Sequence, residues 1–159
     1  MLRVTKLTDY ATVVLTVLAS APDVVASAAG LAERAGLEAP TVAKVLKPLA
    51  QAGLVEAFRG ASGGYRLARD ASAITLFDVV EAMEGPLGMT ECSLHTGHCG
   101  IEHSCGARAN WRHINDVVAD ALRGATLAQM LHGARSAPLA TTSTSTRQPA
   151  RAIPARLAS

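Results

Sequence analysis

Residues 40–67 read PTVAKVLKPLAQAGLVEAFRGASGGYRL, and their pattern changes from helical to extended at Gly53. In the first half, apolar residues recur at the spacing of one helix face: Val42, Val45, Leu46 and Leu49. The second half alternates as two short strands around a turn at 60–64 that contains three glycines. The stretch therefore predicts a helix, opened by Pro40, that leads into a β-hairpin.

Two helices are predicted before this stretch. The first runs from about Thr8 to Ser20, with Thr8 as its N-cap and one apolar face. The second is short, begins at a Ser27 cap and ends at Gly36. A packing helix, two short helices joined by a tight connection and a two-stranded wing follow the order of a winged helix-turn-helix, which is a DNA-binding unit.

Further helices are predicted after the hairpin. Thr75 and Asp78 form a capping-box pattern for a helix that Gly85 stops, a loop follows over 88–106, and Thr126 restarts a last helical turn. Between the loop and Thr126 lies a longer helix with one apolar face: Trp111, Ile114, Val118, Ala121 and Leu122. The predicted fold class is mainly α with a small β-hairpin wing (α+β).

Composition and charge divide the 159 residues into three segments. Residues 1–70, the predicted winged helix-turn-helix domain, carry eight Lys or Arg and six Asp or Glu. Residues 71–133, with the cysteine loop and the later helices, carry three and seven. Residues 134–159 hold four arginines, no acidic residue and almost nothing to bury, which predicts a disordered basic tail.

The sequence also argues against several classes of protein. No apolar run approaches the roughly 18 residues of a membrane span, and the N-terminus lacks the apolar stretch of a signal peptide, so a cytoplasmic protein without a membrane partner is expected. Neither a nucleophile–base pairing at a recognisable spacing nor a nucleotide fingerprint occurs in the sequence. We therefore do not expect an enzyme.

All three cysteines, Cys92, Cys99 and Cys105, fall in one short window with the spacing C-x6-C-x5-C. Thiolates are soft anions that hold iron and zinc, and an odd number of cysteines argues against a disulfide framework. Structural zinc sites usually pair ligands roughly two to four residues apart, so the wider spacing favours an iron–sulfur cluster. Two alternatives stay open: unligated reactive thiols, or a zinc site of three cysteines and one histidine from among His95, His98 and His103.

Two surfaces have the residue types that contact DNA. On the third helix, Thr41, Lys44 and Lys47 lie off the apolar stripe, as in a recognition helix that enters the major groove. In the turn, Arg59 stands beside glycines that let the backbone approach a surface closely, and it could enter a minor groove or contact phosphate. A solvated helix face and an ordinary hairpin turn are the alternatives. The predicted DNA-binding set is Pro40, Thr41, Lys44, Lys47, Arg59, Ser62 and Gly63.

Taken together, the motifs resemble the Rrf-two family of bacterial winged-helix iron–sulfur regulators over about residues 1–133. The motifs are LTDYA at 7–11, FRGASGGYRL at 58–67, VVEAMEGP at 79–86 and the three cysteines followed by Trp111. Within the family, three stretches are most similar to the regulator of the SUF cluster-assembly operon: 2–10, 40–47 and 110–116. The resemblance implies a repressor of cluster-assembly genes that senses cluster supply through its own bound cluster.

The resemblance also implies a ligand set. Cys92, Cys99 and Cys105 match the family's cysteine ligands of a [2Fe-2S] cluster, with [4Fe-4S] as the alternative. The sister regulator of the ISC pathway has a histidine ligand three residues after the last cysteine, where this chain has Arg108. Asp9 aligns with a first-helix aspartate that the partner subunit supplies in the nitric-oxide-sensing branch, so Asp9 ranks first as fourth ligand and a loop histidine such as His103 second. By spacing alone, Asp9 is a charge that complements the helix dipole.

Finally, the resemblance implies a homodimer joined through the long helix after the loop, which would act as a dimerisation helix. Such a dimer binds a pseudo-palindromic double-stranded DNA operator, as two-fold symmetry requires. Two alternatives to cluster-supply sensing are kept. One is a nitric-oxide or redox response of the same cluster, and the other is a zinc-stabilised interaction module.

Overall fold

The computed structural model describes residues 4–93 and 105–132, which form a helical body with a two-stranded antiparallel hairpin. The main elements are α1 (Lys6–Ala19), α2 (Ala28–Ala35), α3 (Ala39–Gln51), β1 (Val55–Phe58), β2 (Gly64–Leu67), α4 (Leu76–Glu84), α5 (Arg108–Arg123) and α6 (Leu127–Leu131). Short 3-10 turns lie at Ala71–Ala73 and Glu91–Ser93. The predicted fold class and element order are confirmed. Within the described ranges, no helix is long and apolar enough to cross a membrane.

The helix-turn-helix forms as its caps predict. Ser27 accepts the N–H of Gly30 at the start of α2, and Gly36 ends that helix in the left-handed conformation at φ +65°. A second glycine, Gly53, also has a positive φ, of +69°, and turns the chain from α3 into β1. The predicted apolar stripe of α3 is fully buried: Val42, Val45, Leu46 and Leu49.

Helix α1 begins earlier than predicted. Its N-cap is Thr5, whose hydroxyl oxygen accepts the N–H of Thr8 at 3.4 Å, so Thr8 lies inside the first turn. Thr8 is 2% exposed and donates its hydroxyl to Oε1 of Glu84, the last residue of α4. The same Oε1 accepts the N–H of Thr5 at 3.0 Å. The predicted cap at Thr8 was wrong because this hydroxyl binds α4 instead of capping its own helix.

One hydrophobic core joins the winged helix-turn-helix to the later helices. Helix α1 packs against α2, α3, α4, α6 and β2, and its apolar stripe lies at the centre of the core. Ile74, Val79 and Leu127 enter the same cluster from the later part of the chain. A backbone hydrogen bond also connects the starts of the two helices: Leu127, the first residue of α6, donates its N–H at 2.8 Å to the carbonyl of Ile74, which lies just before α4. The winged helix-turn-helix and the later helices α4 and α6 are therefore parts of one hydrophobic core.

The wing is anchored to the chain that precedes α2. Tyr65 and Ala26 exchange two backbone hydrogen bonds of 2.9 and 2.8 Å. A Cβ at Gly64 would lie 2.7 Å from the Ala26 carbonyl carbon, and one at Gly63 would lie 2.8 Å from the Gly60 carbonyl oxygen. Among the turn glycines only Gly60 has a positive φ, at +109°. Gly63 and Gly64 are therefore required by close approach to the protein's own backbone.

We expect Gly64→Ala to destabilise the protein by about 1–3 kcal/mol, because the added methyl group must displace backbone that holds the wing to the body. Urea unfolding measures the change. Gly106→Ala is the control, since a Cβ at Gly106 meets nothing within 4 Å. Equal stability of the two variants would contradict this account of the wing.

A second prediction concerns acid stability. The hydrogen bonds from the Thr8 hydroxyl and from Thr5 hold the pKa of Glu84 below its ordinary value of 4.5. A carboxyl whose pKa is lower in the folded state stabilises the fold above the unfolded value and loses that contribution as pH falls through the folded value. We expect the difference in unfolding free energy between wild type and Glu84→Gln to be full at pH 7 and to shrink below about pH 4.5. A difference independent of pH would contradict the assignment.

Candidate functional site

The outer face of α3 presents the predicted recognition residues. Pro40, Lys44 and Lys47 are exposed, and Thr41 is half-buried near the start of the helix. These positions are available because the opposite stripe of α3 is committed to the core. The helix thus offers two ammonium groups and one hydroxyl on the face that does not contact the body.

The wing presents one arginine to solvent and uses another internally. Arg59 directly follows β1 and is exposed, and it forms no ion pair within the described ranges. Arg66 on β2 bonds Glu56 at 3.1 Å and lies 5.0 Å from the Phe58 ring centroid. Arg66 therefore stiffens the hairpin, while Arg59 is left for a partner molecule. Of the two small residues predicted beside it, Ser62 is exposed and Gly63 is packed against backbone.

The structure describes part of the predicted ligand set. Cys92 lies in the 3-10 turn Glu91–Ser93, and Cys105 is a half-buried free thiol just before α5. Cys99 and the loop histidines His95, His98 and His103 lie outside the described residues. Asp9 is exposed in the first turn of α1, and its backbone N–H bonds Thr5 O at 3.2 Å. In the described part of the chain, no three His, Cys, Asp or Glu side chains are assembled for a metal ion.

Cys105 opens onto a surface cavity of about 490 Å³ at the start of α5. Its polar lining is Cys105, Arg108, Arg112, His113 and Asp116. Two guanidinium groups, one imidazole and one carboxylate lie around the Cys105 thiol, so the cavity offers several polar groups to a bound species. Thiols are the ligand type that iron–sulfur clusters and soft metal ions use. Three thiols within one short loop, one of them facing this cavity, therefore fit such a centre.

His113 and Asp116 are cavity residues that sequence reasoning missed. They stand three positions apart on α5, so they share a helix face with Arg108 and Arg112. That polar spacing was readable beside the apolar stripe of the same helix. The spacing of the three cysteines by itself does not indicate these two residues.

The match to a family model decides the family. The model described as "Rrf2: Iron-dependent Transcriptional regulator" covers residues 4–133. The chain belongs to the Rrf2 family. This confirms the resemblance to the Rrf-two motifs and the prediction that the chain is a regulator and not an enzyme.

Named relatives agree with this assignment. Protein aau3 of Rhizobium meliloti is 38% identical over 128 residues, which cover 79% of this chain and 82% of that protein. The HTH-type transcriptional regulator IscR of Vibrio campbellii is 31% identical over 103 residues, which cover 65% of this chain and 61% of IscR. The match to IscR thus spans less than two thirds of that regulator.

Solved structures place the fold among Rrf2 winged-helix regulators. CymR, the global cysteine regulator of B. subtilis, has a TM-score of 0.65 and 27% identity, with 83% of this chain and 98% of CymR covered. IscR of T. potens has a TM-score of 0.62 and 30% identity, with 87% and 93% covered. Winged-helix regulators of this family bind DNA and act as dimers. IscR and CymR proteins both match this chain, so the matches establish its family. The signal that the protein senses has to be inferred from its own residues.

Proposed function

We propose that this Rrf2 regulator represses iron–sulfur cluster assembly genes and senses cluster status through a cluster of its own. The observation that carries the proposal is the cysteine loop. Its two ends are the 3-10 turn with Cys92 and the start of α5 with Cys105, and Cys105 faces a cavity lined by two arginines. Three thiols in one short loop, one of them beside two guanidinium groups, suit an anionic thiolate cluster better than isolated thiols.

The ligand set we propose is Cys92, Cys99, Cys105 and Asp9, holding a [2Fe-2S] cluster, with [4Fe-4S] as the alternative. The cluster, when bound, supplies a centre that is damaged or lost when conditions change. An oxygen ligand such as Asp9 binds iron less strongly than a thiolate, so a site completed by it exchanges its cluster more readily. Ready exchange suits a sensor of cluster supply. His113 at the same cavity is a further nitrogen donor.

Helix α5 supports a homodimer. Only Ala119 is buried among its described residues, while Trp111, Ile114 and Val117 are 38%, 40% and 55% exposed. A sixteen-residue helix with so little buried surface needs a second apolar face to cover it. We propose that α5 of a second copy of the chain covers this face. The resulting dimer would place two DNA-binding surfaces on a pseudo-palindromic operator.

For the DNA-binding surface, we propose that the start of α3 enters the major groove and the wing enters the minor groove. Pro40, Thr41, Lys44 and Lys47 would line the first contact, and Arg59, with the turn at Ser62 and Gly63, the second. The carrying fact is that Lys44, Lys47 and Arg59 are exposed and form no ion pairs within the described ranges. Positive side chains without internal partners are the ones that neutralise phosphates or reach base edges.

A second candidate function is a redox or nitric-oxide response at the same loop. The half-buried Cys105 thiol on an open cavity favours it, because oxidants attack cysteines that they can reach. Among the structural neighbours, CymR of Staphylococcus aureus, at 25% identity and a TM-score of 0.61, has a crystal structure in an oxidized form. The two functions share the DNA-binding unit and differ in the signal.

The DNA-binding proposal is tested with an operator selected from random duplexes by the wild-type protein. We expect Lys44→Ala and Arg59→Ala each to weaken operator binding about tenfold at moderate salt, within the 1–3 kcal/mol of one good base contact. Lys6→Ala, at the start of α1 and outside the helix-turn-helix and wing, is the control. Fluorescence anisotropy measures the affinities, and unchanged affinity in both variants would contradict the assigned surface.

The cluster proposal is tested by anaerobic purification with iron, sulfide and zinc measured on one sample. We expect brown protein with matched iron and sulfide, loss of colour in each Cys→Ser variant, and faster cluster loss in Asp9→Ala. Asp23→Ala, an exposed acid in the connection after α1, is the control for Asp9. Colourless protein with one zinc per chain would overturn the sensor and favour a zinc-stabilised module. Unchanged spectrum and stability in Asp9→Ala would remove Asp9 from the site.

A further inference from the structure

Both ends of the cysteine loop lie against helix α5. The 3-10 turn Glu91–Ser93, which contains Cys92, packs on this helix. At the other end, the carbonyl of Cys105 accepts the N–H of Arg108, the first residue of α5, at 3.4 Å. Arg112 lines both the cavity at Cys105 and a second cavity beside the turn. The two ends of the loop therefore meet on the same stretch of one helix.

One hydrogen bond fixes the segment before Cys92 on α5. The backbone N–H of Met89 donates to Oδ1 of Asn115 at 3.2 Å, and Asn115 is half-buried about two turns into the helix. Directly after Met89 the chain closes into a turn, in which the N–H of Ser93 bonds the carbonyl of Thr90 at 2.9 Å and their hydroxyl oxygens lie 2.7 Å apart. Because the turn is closed by its own bonds, a fixed Met89 also fixes the backbone at Cys92.

Packing leaves this segment room to shift. A cavity of about 470 Å³ lies between α4, the segment and α5, and its lining includes Leu87, Ser93 and Asn115. A hydrogen bond has a preferred length and direction, so it sets the position of the segment where packing is incomplete. The amide oxygen of Asn115 is an uncharged acceptor, so it holds the Met89 N–H without adding a negative charge beside the cysteine loop.

We propose that Asn115 is a positioning residue, which sets the Cys92 end of the cysteine loop relative to the Cys105 end. The inference rests on the proposed function, since it concerns a metal centre held by this loop. With the Met89 bond in place, α5 orders both ends of the loop before a metal arrives. A loop ordered in advance loses less conformational freedom on binding, so it binds the metal more tightly.

Helix α5 also provides a matched control. Asn110 is an exposed asparagine of the same helix, and it lines neither of the two cavities. Asn115→Ala and Asn110→Ala each remove one amide from α5, but only the first removes the acceptor of the Met89 N–H. Asn115→Asp keeps an acceptor oxygen at the same place, and Asn110→Asp controls for its added charge.

The first measurement is anaerobic titration of the apo protein with Co²⁺, followed by the absorption of cobalt bound to thiolate. We expect Asn115→Ala to bind Co²⁺ about tenfold more weakly than wild type, the lower end of the effect of residues that orient metal ligands. Asn115→Asp should recover part of this loss. Asn110→Ala and Asn110→Asp should match wild type. Retention of the assembled cluster against a chelator should follow the same order.

The second measurement is amide hydrogen exchange of the metal-free protein. Asn115→Ala should exchange faster over residues 86–93, because the Met89 N–H loses its acceptor. A bond that is merely structural would change this exchange and leave the Co²⁺ affinity of Asn115→Ala equal to that of wild type. That result would overturn the positioning role, as would an equal loss of affinity in Asn110→Ala or in Asn115→Asp.

Failure of the proposed function gives a different result. Wild-type protein that binds Co²⁺ but assembles no iron–sulfur cluster would contradict the proposed function, and the Co²⁺ affinities of the Asn115 variants would still decide the positioning role. Wild-type protein that binds neither Co²⁺ nor a cluster would overturn both. A normal cluster in wild type and in Asn115→Ala, with equal resistance to the chelator, would overturn the positioning role alone.

Discussion

Burial of one face of α1 is the constraint on which the rest of the structure depends. Leu15 and Leu18 are 0% and 2% exposed, and each contributes about 2 kcal/mol through removal of apolar surface from water. The same helix contacts α2 and α3 on the DNA-binding side and α4 and α6 on the other. A displacement of α1 would therefore be shared by the winged helix-turn-helix and by the later helices.

The wing and the recognition helix both bury apolar residues in the core, which in the hairpin are Val55 and Leu67. The hairpin has in addition two backbone hydrogen bonds to Ala26 and a close approach at Gly64 that leaves no room for a side chain. Directional bonds set the angle of the hairpin as well as its distance from the body. Arg59 therefore leaves the wing from a defined position, which a contact inside a narrow groove demands.

Local signals explain how far the sequence alone could go. Helical spacing, the Ser27 cap, the Thr75–Asp78 capping box and the helix stops at Gly36 and Gly85 act within a few residues, and these predictions were confirmed. The start of α1 was placed wrongly because the partner of Thr8 is 76 residues away, and no local pattern shows that Glu84 reaches it. Likewise, the turn glycines suggested approach to DNA, but the backbone that they approach belongs to Gly60 and Ala26. The candidate ligands and DNA contacts remain predictions. Spacing indicates the cysteines and the exposed basic residues, the family resemblance alone indicates Asp9, and Cys99 lies outside the described residues.

Trp111 gives the molecule a built-in optical reporter. It is the single tryptophan of the chain, and it stands in the first turn of α5 with 38% of its surface exposed. The position is six residues after Cys105 and on the same apolar face as Ile114. Indole emission responds both to the polarity around the ring and to absorbing groups nearby. One emission band would therefore report both of the proposed events: covering of the α5 face by a second chain, and binding of a coloured cluster by the cysteines.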